Sequence, residues 1–253
     1  MKKILSYILL VTFISNSENV FSQKDVFLNI TYVKEYRSKL DTSITKSFKN
    51  EIGAINSLLA KYSKEISYQL TIENQHSLFS INEFKMNNPN INFKEVAGSI
   101  GGTSGKFYVN KKEGVYLNQF NFMGDDFLIK IEAKKWKITN EFKFISDFKC
   151  YKATTEDTVS NHKGIFKSKV IAWFCPELPS FFGPAKFFGL PGLILELDNG
   201  KMNLRATKID FLKTKNHALK PLKKGIKLTE KEFEEFTEKK ARAMFPKFFK
   251  NNK

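Results

Sequence analysis

The chain has 253 residues, 42% of them hydrophobic, with 26 phenylalanines and a formal net charge of +16. That apolar content supplies a large core and excludes intrinsic disorder as the default. Only Arg37, Arg205 and Arg242 among the 42 basic residues are arginine, which argues against nucleic-acid readout, since base and phosphate recognition relies on the bidentate guanidinium.

Lys2 and Lys3 followed by the apolar run Ile4 to Ile14 and by Val20-Phe21-Ser22 read as a cleavable secretory signal over residues 1–22, with Gln23 as the first mature residue. The apolar run is about half the ~20 residues of a membrane-spanning helix. The expected location is therefore periplasmic or secreted, with no transmembrane segment after cleavage. About 230 residues remain, enough for one domain. The expected division is an antiparallel β domain over 23–212, then a lysine-rich linker and C-terminal helix over 213–253.

Val26 to Lys39 alternates β-branched or aromatic residues with polar ones, as a half-buried strand does. Phe48, Ile52, Ile55, Leu58 and Leu59 recur at helical spacing, which predicts a short helix over Ser47 to Ala60 despite Gly53. Ile66 to Thr71 and Ser77 to Phe84 read as two strands. Met86 to Gly105, with Asn87-Asn88-Pro89-Asn90 and Gly101-Gly102-Thr103-Ser104-Gly105, reads as a long surface loop. Its glycines lack the Lys-Ser/Thr pair of a phosphate loop, since Lys106 is followed by Phe107.

Strands are expected at Lys106 to Asn110, Val115 to Phe122, Phe127 to Ala133 and Trp136 to Phe144. Lys112-Glu113-Gly114 and Gly124-Asp125-Asp126 would be the turns between them. Such close spacing predicts antiparallel neighbours, because parallel pairing needs a long crossover.

Cys150 and Cys175 are the only cysteines. A hairpin of Phe148 to Thr154 with Val170 to Pro176, turning at His162 and Lys163, would set them opposite each other. A disulfide there would be worth roughly 3 kcal/mol in the chain-entropy model; two buried free thiols are the alternative. Ile194 to Leu197 and Met202 to Ile209 predict a further hairpin turning at Asn199-Gly200. At the C-terminus Thr229 and Glu232 form a capping box, and Phe233, Phe236 and Met244 mark an inward stripe.

Between the last two hairpins runs VIAWFCPELPSFFGPAKFFGLPGLILEL, residues Val170 to Leu197. Trp136 to Glu141, Phe148 to Ala153, Trp173, Phe174, Pro176, Glu177, Pro179, Gly183, Pro184 and the hexapeptide Gly189, Leu190, Pro191, Gly192, Leu193, Ile194 resemble, in order and spacing, the signature of the GLPGLI family. Cys175 stands where that signature has Thr. The resemblance implies an exported protein of Bacteroidota-type bacteria, and it brings no established activity and no catalytic residues.

The motif's prolines remove donors and fix φ, and its glycines permit close approach or positive φ. With Phe182 and Phe188, the segment either plugs one end of the sheet or lines a mouth for an apolar ligand. The three histidines, His76, His162 and His217, have no nucleophile or metal-ligand motif beside them. No catalytic residue, metal or cofactor is expected.

The fold class expected is mainly β (α+β): a strongly curved antiparallel sheet or partial barrel with peripheral helices, including a C-terminal helix. The functional expectation is a non-catalytic binding or carrier protein for an amphiphilic or anionic ligand. An interaction subunit of an outer-membrane transport or envelope assembly is the alternative, with an envelope protein as partner; a hydrolase ranks third.

Overall fold

Alternation of side chains fixes the first strand. In β1 (Phe27–Tyr36) Leu28, Ile30, Tyr32 and Lys34 are buried while their neighbours are more exposed, the period of two that a strand with one core-facing side requires. The computed structural model describes residues 27–37, 49–62, 66–82, 98–161, 164–179, 181–213, 219–244 and 246. The signal sequence, His162, His217 and most of the 86–105 loop lie outside them.

The elements that follow are α1 (Lys49–Tyr62), β2 (Ser67–Glu73), β3 (His76–Ile81), β4 (Lys106–Asn110), β5 (Val115–Phe122), β6 (Asp125–Lys130), β7 (Lys137–Ile145), β8 (Phe148–Asn161), β9 (Gly164–Cys175), β10 (Leu193–Asp198), β11 (Met202–Phe211), β12 (Ile226–Thr229) and α2 (Glu230–Met244). All twelve strands form one sheet in the order β12-β6-β5-β4-β3-β2-β1-β11-β10-β9-β8-β7. It consists of two meanders, β1 to β6 and β7 to β11, joined along β1 and β11. The protein is thus mostly β, with a C-terminal helix. The sheet is open, with β12 and β7 at its ends, and is not a closed barrel. Buried residues from both meanders and from α1 form one continuous core. Among the described residues no helix is long and apolar enough to cross a membrane.

Several sequence expectations need correction. The β6 and β7 strands, though close in sequence, are not neighbours; they stand near opposite ends of the sheet. Short spacing limits the distance between strand ends but does not dictate pairing. Pairing is not wholly antiparallel either, because β12 runs parallel to β6, with Ile226 opposite Phe127. The lysine-rich stretch before α2 is therefore more than a linker. It contributes a strand and is held by the Leu219 N–H on Glu73 at 2.9 Å, the Lys224–Asp126 ion pair and the Gln119 amide on the Lys224 carbonyl at 2.7 Å.

Two turns shift by one residue. Phe122 pairs with Asp125, so the β5–β6 turn is Met123-Gly124, both at positive φ, as a type I′ hairpin turn requires. Asn199 N–H bonds the Met202 carbonyl at 3.2 Å, which centres the β10–β11 turn on Gly200-Lys201, with Gly200 at φ +81°.

The β8–β9 hairpin has the expected register. Tyr151 faces Phe174 and Asn161 faces Gly164, leaving residues 162 and 163 between the strands. Cys150 and Cys175 are consecutive with the Tyr151–Phe174 pair, yet both are buried free thiols and no disulfide joins them. Burial pushes the Cys150 thiol up to about 12, which keeps it protonated near neutral pH.

Candidate functional site: a cleft beneath the C-terminal helix

The capping box positions α2. The Thr229 N–H and hydroxyl both donate to Glu232 Oε2, at 2.7 and 2.8 Å, and the Glu232 N–H donates to Thr229 Oγ1 at 3.2 Å. These bonds satisfy helix N-terminal donors that would otherwise lack partners. The parallel β12–β6 pairing then sets the helix over the sheet. It rests there on Phe233, whose ring meets those of Phe120, Phe122 and Phe127 at 5.1, 5.6 and 5.1 Å, and on Phe236, 5.2 Å from Phe127. No residue of α2 is fully buried. Met244, expected on the inward stripe, is 55% exposed.

Beside these contacts a cleft of about 830 Å³ opens. Phe107, Phe120, Ile129 and Ile131 make its apolar lining, Phe233 closes it from the helix, and the 98–105 segment forms one wall. That segment was expected to be a surface loop. Its described part is only partly at the surface: Gly98 and Thr103 are buried, while Ser99 and Gly102 are exposed. A Cβ on Gly105 would lie 2.0 Å from the Gln119 carbonyl oxygen, so the glycine there serves close approach to β5.

Lys34 fastens this wall from below. Its ammonium donates to the Ile100 carbonyl and, at 2.8 Å, to Thr103 Oγ1, while Tyr68 OH lies 3.2 Å from Thr103 Oγ1. Lys34 is 1% exposed. Desolvation pushes its ammonium pKa down to about 7, since a buried cation loses hydration that two neutral acceptors only partly replace.

Four ionic side chains line the cleft: Lys106, Lys186, Glu230 and Glu234. Lys186 Nζ lies 2.9 Å from Asp157 Oδ1 and 3.6 Å from Glu230 Oε1, and Lys134 Nζ lies 3.0 Å from the same Asp157 oxygen. Burial alone would raise the Asp157 carboxyl, but the two ammonium groups, Lys186 foremost, outweigh it and hold it below its usual range. This cluster ties together the 131–136 connection, β8, the motif loop and the start of α2. A second hollow of about 860 Å³ adjoins it, lined by Lys134, Lys135, Lys137 and Lys169 but also by Glu132, Glu156 and Glu230.

The residues singled out from the sequence lie elsewhere. Phe174, Phe182, Gly183, Pro184, Phe188, Leu190, Gly192, Leu193 and Ile194 are buried; Trp173, Pro179 and Gly189 are half-buried; Pro176, Glu177 and Pro191 are exposed. None of these lines the cleft among its described residues. The motif loop bonds to itself and to its surroundings. The Phe181 N–H donates to the Leu190 carbonyl at 2.8 Å and Gly189 N–H to the Phe181 carbonyl at 2.9 Å. Trp136 Nε1 donates to the Phe188 carbonyl at 2.9 Å and Tyr32 OH to the Ile194 carbonyl at 2.6 Å. The loop therefore completes the core. Its contribution to the cleft is Lys186, whose sequence signal is a single cation inside an aromatic run. His76 packs its ring near Tyr108, and no group of three or more potential metal ligands assembles among the described residues.

The model of a family described as a protein of unknown function (Porph_ging) matches residues 161–196. That stretch runs from the end of β8 through the motif loop into β10, and the match bears out the GLPGLI resemblance. No curated protein matches the chain. Two solved structures of PNGF-II, in the C2 and P21 space groups, are matched with TM-scores of 0.45 and identities of 14% and 15%, over 86% and 83% of this chain and 33% and 32% of those chains. The chain thus spans about a third of the length of the proteins it matches.

Proposed function

We propose that this protein is an exported, non-catalytic binder or carrier of an amphiphile, which lies in the cleft beneath α2. The observation that carries the reading is the cleft itself. Its volume of about 830 Å³ falls in the 300–1,000 Å³ range of small-molecule sites, and its apolar lining with a few ionic groups is the make-up such sites have. Export is part of the proposal and rests on the basic, apolar and cleavage-compatible stretches of residues 1–22.

Strong curvature of the sheet belongs to the same reading, and chain length supports it. In the sheet order β6 and β7 stand ten places apart. At about 4.8 Å per strand a flat sheet would separate them by about 48 Å. The chain covers that gap from Lys130 to Lys137, which spans at most about 25 Å when fully extended. Likewise α2 touches both β6 and β8, although a helix of its 15 residues is only about 22 Å long. A sheet rolled around its core satisfies both restraints and gives the cleft a concave floor.

The test is native mass spectrometry of the mature protein isolated from its own envelope, followed by organic extraction. A bound amphiphile is expected, and Phe120→Ser should remove it without loss of secondary structure. A protein that is isolated empty and takes up no added amphiphile sinks the reading.

A second reading, an interaction subunit of an envelope assembly, has one observation in its favour. Strand β7 ends the sheet and exposes Phe142 and Phe144, at 54% and 65%, and an unpaired strand edge with apolar side chains favours strand addition by a partner. Loss of a stoichiometric protein partner on Phe144→Lys would support it.

A further inference from the structure

The chain as a whole carries +16, yet the cleft does not share that bias. Its described lining holds two lysines, Lys106 and Lys186, and two glutamates, Glu230 and Glu234. Lys186 and Glu230 pair with each other at 3.6 Å, which leaves Lys106 and Glu234 as the lining charges outside any ion pair among the described residues. Both carboxylates come from α2, four residues apart and hence on one helix face. Lys106 comes from the sheet and Lys186 from the motif loop.

Lys186 is already held by Asp157 and Glu230, so an anionic headgroup would have to compete with two carboxylates for it. Such a headgroup would also face Glu230 and Glu234 across a cleft whose apolar walls weaken solvent screening, and like charges there repel. A cationic headgroup would meet the converse problem at the lysines. A group bearing both charges a few atoms apart meets complementary charge on each side.

We infer that the cleft selects a zwitterionic amphiphile, with its ammonium toward Glu234, its anionic group toward Lys106, and its chain along Phe107 and Phe120. This rests on the cleft-binding reading above and goes beyond it in naming the headgroup.

The experiment offers the purified mature chain an equimolar mixture of lysophosphatidylcholine, lysophosphatidylglycerol and monoacylglycerol of one chain length, read by native mass spectrometry. The zwitterion should exceed the other two by about tenfold or more, the ratio that about 1.4 kcal/mol supplies. Glu234→Lys, a change on a half-buried helical position, should turn the preference toward the anion while circular dichroism stays unchanged. Equal or stronger binding of the anionic or neutral compound to the unaltered protein overturns the headgroup assignment and leaves the cleft reading standing. So does an unaltered ranking in Glu234→Lys. Binding of none of the three removes both.

Discussion

Lys34 shows how one side chain can serve the site at a cost to the fold. It lies in β1 at a position whose alternation demands an apolar residue, and it is buried as that alternation dictates. Its reward is the tether to Ile100 and Thr103 that holds down the cleft wall. The cost should be measurable as a pH dependence. Unfolded, Lys34 keeps its proton up to about pH 10.4; folded, it gives it up above about 7. Between those values the unfolded state binds more protons, so stability should rise with pH, with a slope of at most about 1.4 kcal/mol per unit. Below about 7 the full penalty of burying the cation applies. Urea unfolding between pH 6.5 and 9 measures the slope, and Lys34→Met should abolish it. The motif glycines have separate local reasons. Gly189 sits at φ +100°, whereas a Cβ on Gly192 would meet the Cys175 carbonyl oxygen at 2.3 Å. The sequence marks both as glycine and cannot say which reason holds where.

Of the two helices, α2 has the less support from the core. It has no buried residue and depends on Phe233, Phe236 and its cap. Replacing Thr229 by Ala removes the two bonds of its hydroxyl, leaving only the backbone N–H of residue 229 on Glu232, and should cost about 1 kcal/mol. The loss should be local: amide hydrogen exchange should quicken in the first turns of α2 and stay unchanged in β1, β2 and β10. Uniform quickening would mean that the helix is coupled to global unfolding. The cap was legible because its residues are adjacent in sequence and bond to one another. For the same reason the β8–β9 register could be read to the residue, since two long strands joined by a short turn have little freedom to slip. Helical periodicity puts Met244 on the inward face but says nothing of what lies beneath that face, and Met244 is exposed.

On the scale of the molecule, the Asp157 cluster joins segments that the sheet order keeps far apart. Asp157 in β8 receives Lys134 from the chain leaving β6 and Lys186 from the motif loop, and Lys186 reaches Glu230 of α2. Asp157→Ala leaves two poorly hydrated ammonium groups without their shared acceptor and should cost about 3 kcal/mol in urea unfolding. Because the carboxyl is held below its ordinary value, its contribution is complete above the unfolded pKa near 3.9 and fades as pH falls through the lower folded value. The variant should therefore lose part of its acid sensitivity below about pH 4. A stability unchanged within about 0.5 kcal/mol would mean that the cluster is a solvated surface pair.

The sequence by itself determined what is local: the strands from their alternation, both helices, the cap, the β8–β9 register, and the family resemblance now matched over residues 161–196. Tertiary structure alone decided which strands are neighbours beyond the local hairpins. Alternation names the face a residue turns to the core but not the strand beside it, so β6 and β7 could be separated across the sheet and β12 added in parallel. It also decided that the aromatic motif fills the core while the cleft forms from Phe107, Phe120, Ile129 and Phe233. These residues come from β4, β5, β6 and α2. A cavity exists only between segments brought together by folding, so no single stretch of chain carries its signature.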